Sequence, residues 1–379
     1  MAHPPVSHTA TFGYLPGLDG MRALSIMVVV VAHYGLGHVV PGGFGVTVFF
    51  FVSGFLITRL LLAEKDKHGE IRLAQFYARR FARLTPPLVA FIACVSLFYA
   101  WQGAEFGLLD VTAPLLYFEN YRMLFTEQLN QLPGVGQLWS LAVEEHFYLL
   151  FPAFLMVVPS RLLVRWTLVI LLACLLIRYI YMFTLDNGDE WTYFASEARL
   201  DSILWGCLLA ILAHQGRTGV LRVLERPEAI IAAFALLLFT FVYRDALFRE
   251  TLRYTLQGVG LFVIVNALMF SLRYRWAVDM LECAPMRWLG RRSYALYLWH
   301  WQGLYLGWYL TGDHALLSPL VGLPVALLLC ELSYRLVEHP FIGLRKRLGG
   351  HPVSDFNKSA SGTDGRRTVG LVRDARSVL

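Results

Sequence analysis

The chain has 379 residues, of which 57% are apolar and 16% charged, with a mean hydropathy of +0.53 and a formal net charge of +6. Globular chains hold roughly 45–50% apolar and about 25% charged residues, so this composition excludes an ordinary soluble enzyme and points to an integral membrane protein. Cys94, Cys174, Cys207, Cys283 and Cys330 are scattered singly, which suits neither a disulfide framework nor a zinc site.

The first apolar run begins near Arg22, with no lysine or arginine before it and no small-residue cleavage site after it. It is expected to stay as a membrane helix. A span needs about 17–25 mostly apolar residues. Ten are predicted: 21–39, 44–63, 84–101, 138–158, 162–184, 198–214, 229–243, 254–272, 293–311 and 317–341. The stretch 104–125 carries Glu105, Asp110, Glu119 and Arg122, and is expected to be re-entrant or interfacial. Even-numbered loops hold 16 lysines and arginines and odd-numbered loops five: Arg122, Arg199, Arg244, Arg249 and Arg253. Basic residues collect in cytoplasmic loops, so the even loops and both termini are expected inside. That topology also accounts for the basic balance without invoking nucleic acid. Residues 1–348 form the predicted membrane domain, and the polar stretch 349–379 reads as a disordered cytoplasmic tail.

Ionisable residues inside spans are costly, and so are candidates for function. His33 follows Arg22 by eleven residues, about 16 Å along a helix. Taking span four to begin at the outer face near Leu138, Glu144 falls at the depth of His33, about 9 Å below that face. Arg178 on span five is expected in the same layer. Ser140, Glu144 and Tyr148 recur every four residues on one face, with Glu145 about 100° off and His146 about 200° away. Glu144 or Glu145 is therefore available to pair with His33, while His146 is expected to pack. At the inner end, Arg80 and Arg83 are neighbours on one face. They read either as positive-inside anchors or as a guanidinium fork for a phosphorylated ligand. Ser53 lies mid-span without the surroundings of a nucleophile elbow, and no motif argues for a metal or for nucleotide hydrolysis.

Seven elements in order carry a family resemblance: "LPGLDGMRALSIMVVVVAHYG", with Arg22 and His33; "GGFGVTVFFFVSGFLITRLL"; "RRFARLTPP", with Arg80 and Arg83; "LWSLAVEEHFYLLFP"; "RLDSILWG", with Arg199, Asp201 and Gly206; "LGRRSYALYLWH", with Gly290, Ser293, Tyr294 and His300; and "YRLVEHP", with Glu338 and Pro340. From about Leu15 to Leu348 the chain resembles the bacterial membrane acyltransferase family 3, in the form without an appended hydrolase-like domain. His146 stands where that family leads one to expect glutamine. The resemblance implies a ten-helix protein of the bacterial inner membrane that moves an acyl group, usually acetyl, from cytoplasmic acyl-CoA to a hydroxyl. The acceptor would be a glycan or glycolipid of the cell envelope, or a small metabolite such as a macrolide, with glycan-export proteins as conceivable partners. Acyl-CoA would be a co-substrate, with no tightly bound cofactor. Arg22, Arg80 and Arg83 would serve the donor. His33 would act as general base beside Glu144 or Glu145, with Tyr34, Arg178, Arg199, Asp201, Ser293, Tyr294 and His300 as secondary candidates. A transporter using the buried His, Glu and Arg as a relay, and a non-catalytic membrane scaffold, remain the rival classes.

Overall fold

The computed structural model describes residues 15–126, 132–312 and 314–347, and every regular element among them is helical. The proposed tail, 349–379, lies outside the described residues. Ten long helices stand where the apolar runs predict them: α1 (Leu18–Val31), α2 (Gly42–His68), α3 (Leu73–Trp101), α6 (Trp139–Val157), α7 (Leu163–Thr184), α9 (Ser196–His214), α11 (Pro227–Val242), α13 (Leu252–Phe270), α15 (Ala284–Thr311) and α16 (Leu317–Ser333). Short helices complete the chain: α4 (Leu108–Leu115), α5 (Glu119–Phe125), α8 (Gly188–Phe194), α10 (Thr218–Val223), α12 (Ala246–Glu250), α14 (Arg275–Leu281) and α17 (His339–Arg347).

Seven of the long helices, with their flanking turns, are long and apolar enough to cross a membrane, which makes this a multi-pass membrane protein. The other three fall short for physical reasons. The α11 helix is apolar but short. Glu197, Arg199 and Asp201 interrupt α9, and α15 is charge-free after Arg292 but is made less apolar by His300, Gln302 and its many Tyr and Trp residues. The 104–125 stretch forms only α4 and α5, of eight and seven residues, well below the about 20 that a span requires.

Without a hydrophobic drive between helices in lipid, close packing of small residues holds such bundles together. The inner pair here is α2 and α9. In α2, 72% of the spanning window is buried, against 22% in α7, so α2 runs through the interior and α7 along the rim. At the α2–α9 crossing, a Cβ on Gly206 would lie 2.0 Å from the Phe51 carbonyl oxygen, and one on Gly54 would lie 2.1 Å from that of Ile203. Only glycine fits at either position. On the other flank α1 packs between α2 and α15, and α15 packs along α16. That sets α1, α2, α6 and α15 around the site.

Candidate functional site

The α1 helix passes into one π-helical turn, Ala32–Leu36, closed by Gly35 at φ +104°, a conformation that suits glycine. Single π-turns are frequent at functional sites. This one carries His33, whose Nδ1 lies 2.9 Å from Nε2 of His300 on α15, with 8° between the ring planes. His300 is fully buried, and its own Nδ1 lies 2.8 Å from the Tyr297 carbonyl oxygen. A carbonyl can only accept, so Nδ1 of neutral His300 carries the proton and its Nε2 accepts. His33 therefore donates through Nδ1 and keeps an unprotonated Nε2. The Tyr34 hydroxyl donates to the His300 carbonyl oxygen at 2.6 Å, fixing α1 to α15 at the same level. His33 lines a cavity of about 540 Å³ with Gln137, Trp139, Tyr193 and Trp301.

A second cavity, of about 120 Å³, lies towards the other end of α1. Arg22, Arg80, Arg83, Ser53, Ser140, Glu144, Tyr148, Ser293 and Tyr294 line it, so the expected face of Ser140, Glu144 and Tyr148 does form one wall. Val46 and Tyr297 line both cavities. The Tyr297 hydroxyl donates to the Gln137 carbonyl oxygen at 2.7 Å and pairs with the Ser140 hydroxyl at 2.7 Å. Tyr297 therefore stands where the two spaces approach each other.

The expected pairing of His33 with Glu144 or Glu145 does not occur. Glu144 accepts from the Ser53 hydroxyl and from Tyr148 at 2.8 Å. Glu145 holds Arg80 at 2.5 Å, and the Arg80 guanidinium lies 3.2 Å from the Tyr148 ring centre. The depth argument failed because α6 begins at the level of the His33 cavity. Its preceding turn, Gly136–Leu138, is already internal: Gln137 is buried, donates to the Leu298 carbonyl oxygen at 3.2 Å and lines the His33 cavity. Glu144, seven residues further on, lies about 10 Å deeper.

Arg178 does not join His33 either. It is fully buried, paired to Asp201 at 2.8 Å, and donates to the Ala198 carbonyl oxygen and to Thr255, both at 2.6 Å. Arg178 and Asp201 thus tie α7, α9 and α13 together. Arg199 is fully buried, its guanidinium 4.0 Å from the Tyr254 ring centre. Arg22 approaches Asp19 at 3.7 Å, and Tyr294 donates to the Leu84 carbonyl oxygen at 2.9 Å. His146 packs as expected, with Nδ1 2.7 Å from the Ser196 hydroxyl and its ring against Tyr121.

Residues 15–335 match the family described as the acyltransferase domain. The chain belongs to this acyltransferase family. O-acetyltransferase OatA of Staphylococcus aureus strain NCTC 8325 is 30% identical over 349 residues, and OatA of strain COL is equally similar. Each match covers 86% of this chain and 57% of the relative, so the chain spans little more than half the length of these proteins. No solved structure matches.

The two cavities differ in their chemistry. One carries three arginines and a carboxylate, and the other an imidazole with an open nitrogen. Sequence reasoning missed Ser53, Gln137 and Tyr297. Ser53 was set aside for lacking a nucleophile-elbow motif, although a serine in an apolar span facing Glu144 could have drawn attention. Nothing local marks Gln137 or Tyr297, since both matter through contacts about 160 residues away.

Proposed function

We propose that this protein is an acyl-CoA-dependent O-acetyltransferase of the bacterial inner membrane, with ten spans and both termini in the cytoplasm. The acceptor is a hydroxyl of a cell-envelope or exported glycan. The observation that carries the reading is the hydrogen-bond chain from the Tyr297 carbonyl oxygen through His300 to His33. It gives His33 one fixed tautomer and leaves its Nε2 as a base, the role an acid-oriented histidine plays in hydrolase triads.

The acceptor hydroxyl loses its proton to His33 Nε2 as its oxygen forms a bond to the thioester carbonyl carbon. The carbon–sulfur bond then breaks, and the imidazolium returns the proton to the leaving thiolate as free CoA. The arginine cavity holds the CoA phosphates, since guanidinium forks match phosphate oxygens. Glu145 aims Arg80 in this scheme, and has no part in orienting His33. The pantetheine arm bridges the roughly 16 Å between the levels of Arg22 and His33, passing Tyr297.

The test uses purified protein in nanodiscs, given acetyl-CoA with and without envelope glycan fragments. Thiol release that depends on the glycan, with acetyl ester appearing on it, is expected. If neither appears with any glycan while the protein binds acetyl-CoA, the acceptor class is wrong. If acetyl-CoA does not bind, the donor assignment fails.

A further inference from the structure

The loops on the His33 side hold few basic residues, as expected for an outer face. Arg122 is engaged by Asp110 at 3.0 Å and Glu119 at 2.6 Å. Arg199 lies within α9, and the other three gather in one place. Arg244, Arg249 and Arg253 line a cavity of about 230 Å³, together with Tyr193, Tyr254 and Gln257. Behind its Tyr193–Tyr254 wall lies Arg199, fully buried, with none of its three guanidinium nitrogens hydrogen-bonded.

Two carboxylates stand nearby. Glu250 lies 3.8 Å from Arg253 and accepts from Thr192 and Tyr254. Asp245 caps α12 by accepting from the Phe248 N–H at 2.8 Å. Among the described residues, the side chains of Arg244 and Arg249 have no ion pair or hydrogen bond. Three permanent positive charges therefore line the cavity and a fourth lies behind its wall, with two carboxylates nearby. Arg199 does not shed its proton to escape burial, and its charge meets only the faces of Trp139, Tyr193 and Tyr254. Such a site is organised for an anion. The cavity also shares Gly42, Gly43 and Tyr193 with the His33 cavity, so a ligand anchored here extends towards the imidazole.

We propose that this basic cavity binds a phosphate group carried by the acceptor, which is therefore a phosphorylated saccharide rather than a neutral glycan chain. Several guanidiniums converging on one space suit phosphate, whose oxygens accept paired N–H donors. The proposal rests on reading the His33 cavity as the acceptor site and names the acceptor's class.

The test uses the full chain in phosphatidylcholine nanodiscs, with saturating coenzyme A to fill the arginine cavity. Inorganic pyrophosphate is titrated calorimetrically, and glucose 1-phosphate is then added as competitor. Saturable pyrophosphate binding, displaced by glucose 1-phosphate, is expected. Arg249→Gln and Arg253→Gln should each weaken it about tenfold or more, given the strength of hydrogen bonds to charged groups. Arg249→Lys should lose less, and all three variants should bind coenzyme A as the parent does, which controls for folding. Unchanged pyrophosphate affinity in the Arg249→Gln/Arg253→Gln double variant overturns the site. If phosphatidylglycerol nanodiscs abolish the pyrophosphate signal through the same arginines, a lipid headgroup is the ligand and the saccharide assignment falls. Failure of coenzyme A to bind the parent protein counts against the donor reading, and the pyrophosphate titration still decides this one.

Discussion

His33 and His300 sit on helices 267 residues apart in sequence, yet their shared proton gives each a distinct task. If His33 Nε2 removes the acceptor proton, His33→Gln should insert, fold and bind acetyl-CoA but lose about 10²–10⁴-fold in transfer, the usual worth of a general base. Near-normal turnover in that variant would reduce the imidazole to a helix contact. His300→Gln can still offer a carbonyl to His33 Nδ1, whereas His300→Phe cannot, so kcat should fall much further in the second. The KM for acetyl-CoA should hold in both, and equal defects would argue against tautomer control. For Glu145 the consequence runs the other way. Because it holds Arg80 at 2.5 Å, Glu145→Gln should raise the acetyl-CoA KM with little change in kcat. A pure kcat defect would return Glu145 to the chemistry.

At the scale of helices, much of the architecture was legible. Each apolar run is a helix, because 3.6-residue periodicity and hydropathy are local properties. The same periodicity placed Ser140, Glu144 and Tyr148 on one wall and turned His146 away from it. Depth was not legible. It depends on where each helix begins relative to its neighbours, and the turn Gly136–Leu138 starts α6 beside Tyr297. The base's partner was hidden for a similar reason, since His300 reaches His33 only through the packing of α1 on α15. Two measurements belong here. Reporter fusions at Gly69 and Gly188 should report the cytoplasm and the exterior respectively, and a shared side would break the ten-span topology. Gly206→Ala forces a methyl against the Phe51 carbonyl, so overpacking should cost about 1–3 kcal/mol and lower the melting temperature in detergent. An unshifted melting temperature would mean that α2 and α9 separate freely.

Across the whole molecule, the arginine cavity and the His33 cavity lie towards opposite ends of α1, so on the proposed reading donor and acceptor can be addressed separately. Arg80→Ala with Arg83→Ala should weaken acetyl-CoA binding at least about tenfold while the pyrophosphate titration is unchanged. Intact donor affinity in a correctly inserted double variant would leave those arginines as topology anchors. The position of Tyr297 has a further consequence. A cell membrane holds a voltage, and one elementary charge crossing 100 mV changes energy by about 2.3 kcal/mol. Two polar hollows reaching inward from opposite ends would short-circuit that voltage if water joined them. On the proposed reading, the Tyr297 ring, pinned by Ser140 and the Gln137 carbonyl, then insulates electrically whenever no pantetheine arm passes it. Tyr297→Ala proteoliposomes should dissipate an imposed proton gradient faster than the parent, and Tyr297→Phe should stay tight because the ring remains. A tight Tyr297→Ala membrane would show that the seal lies elsewhere in the bundle.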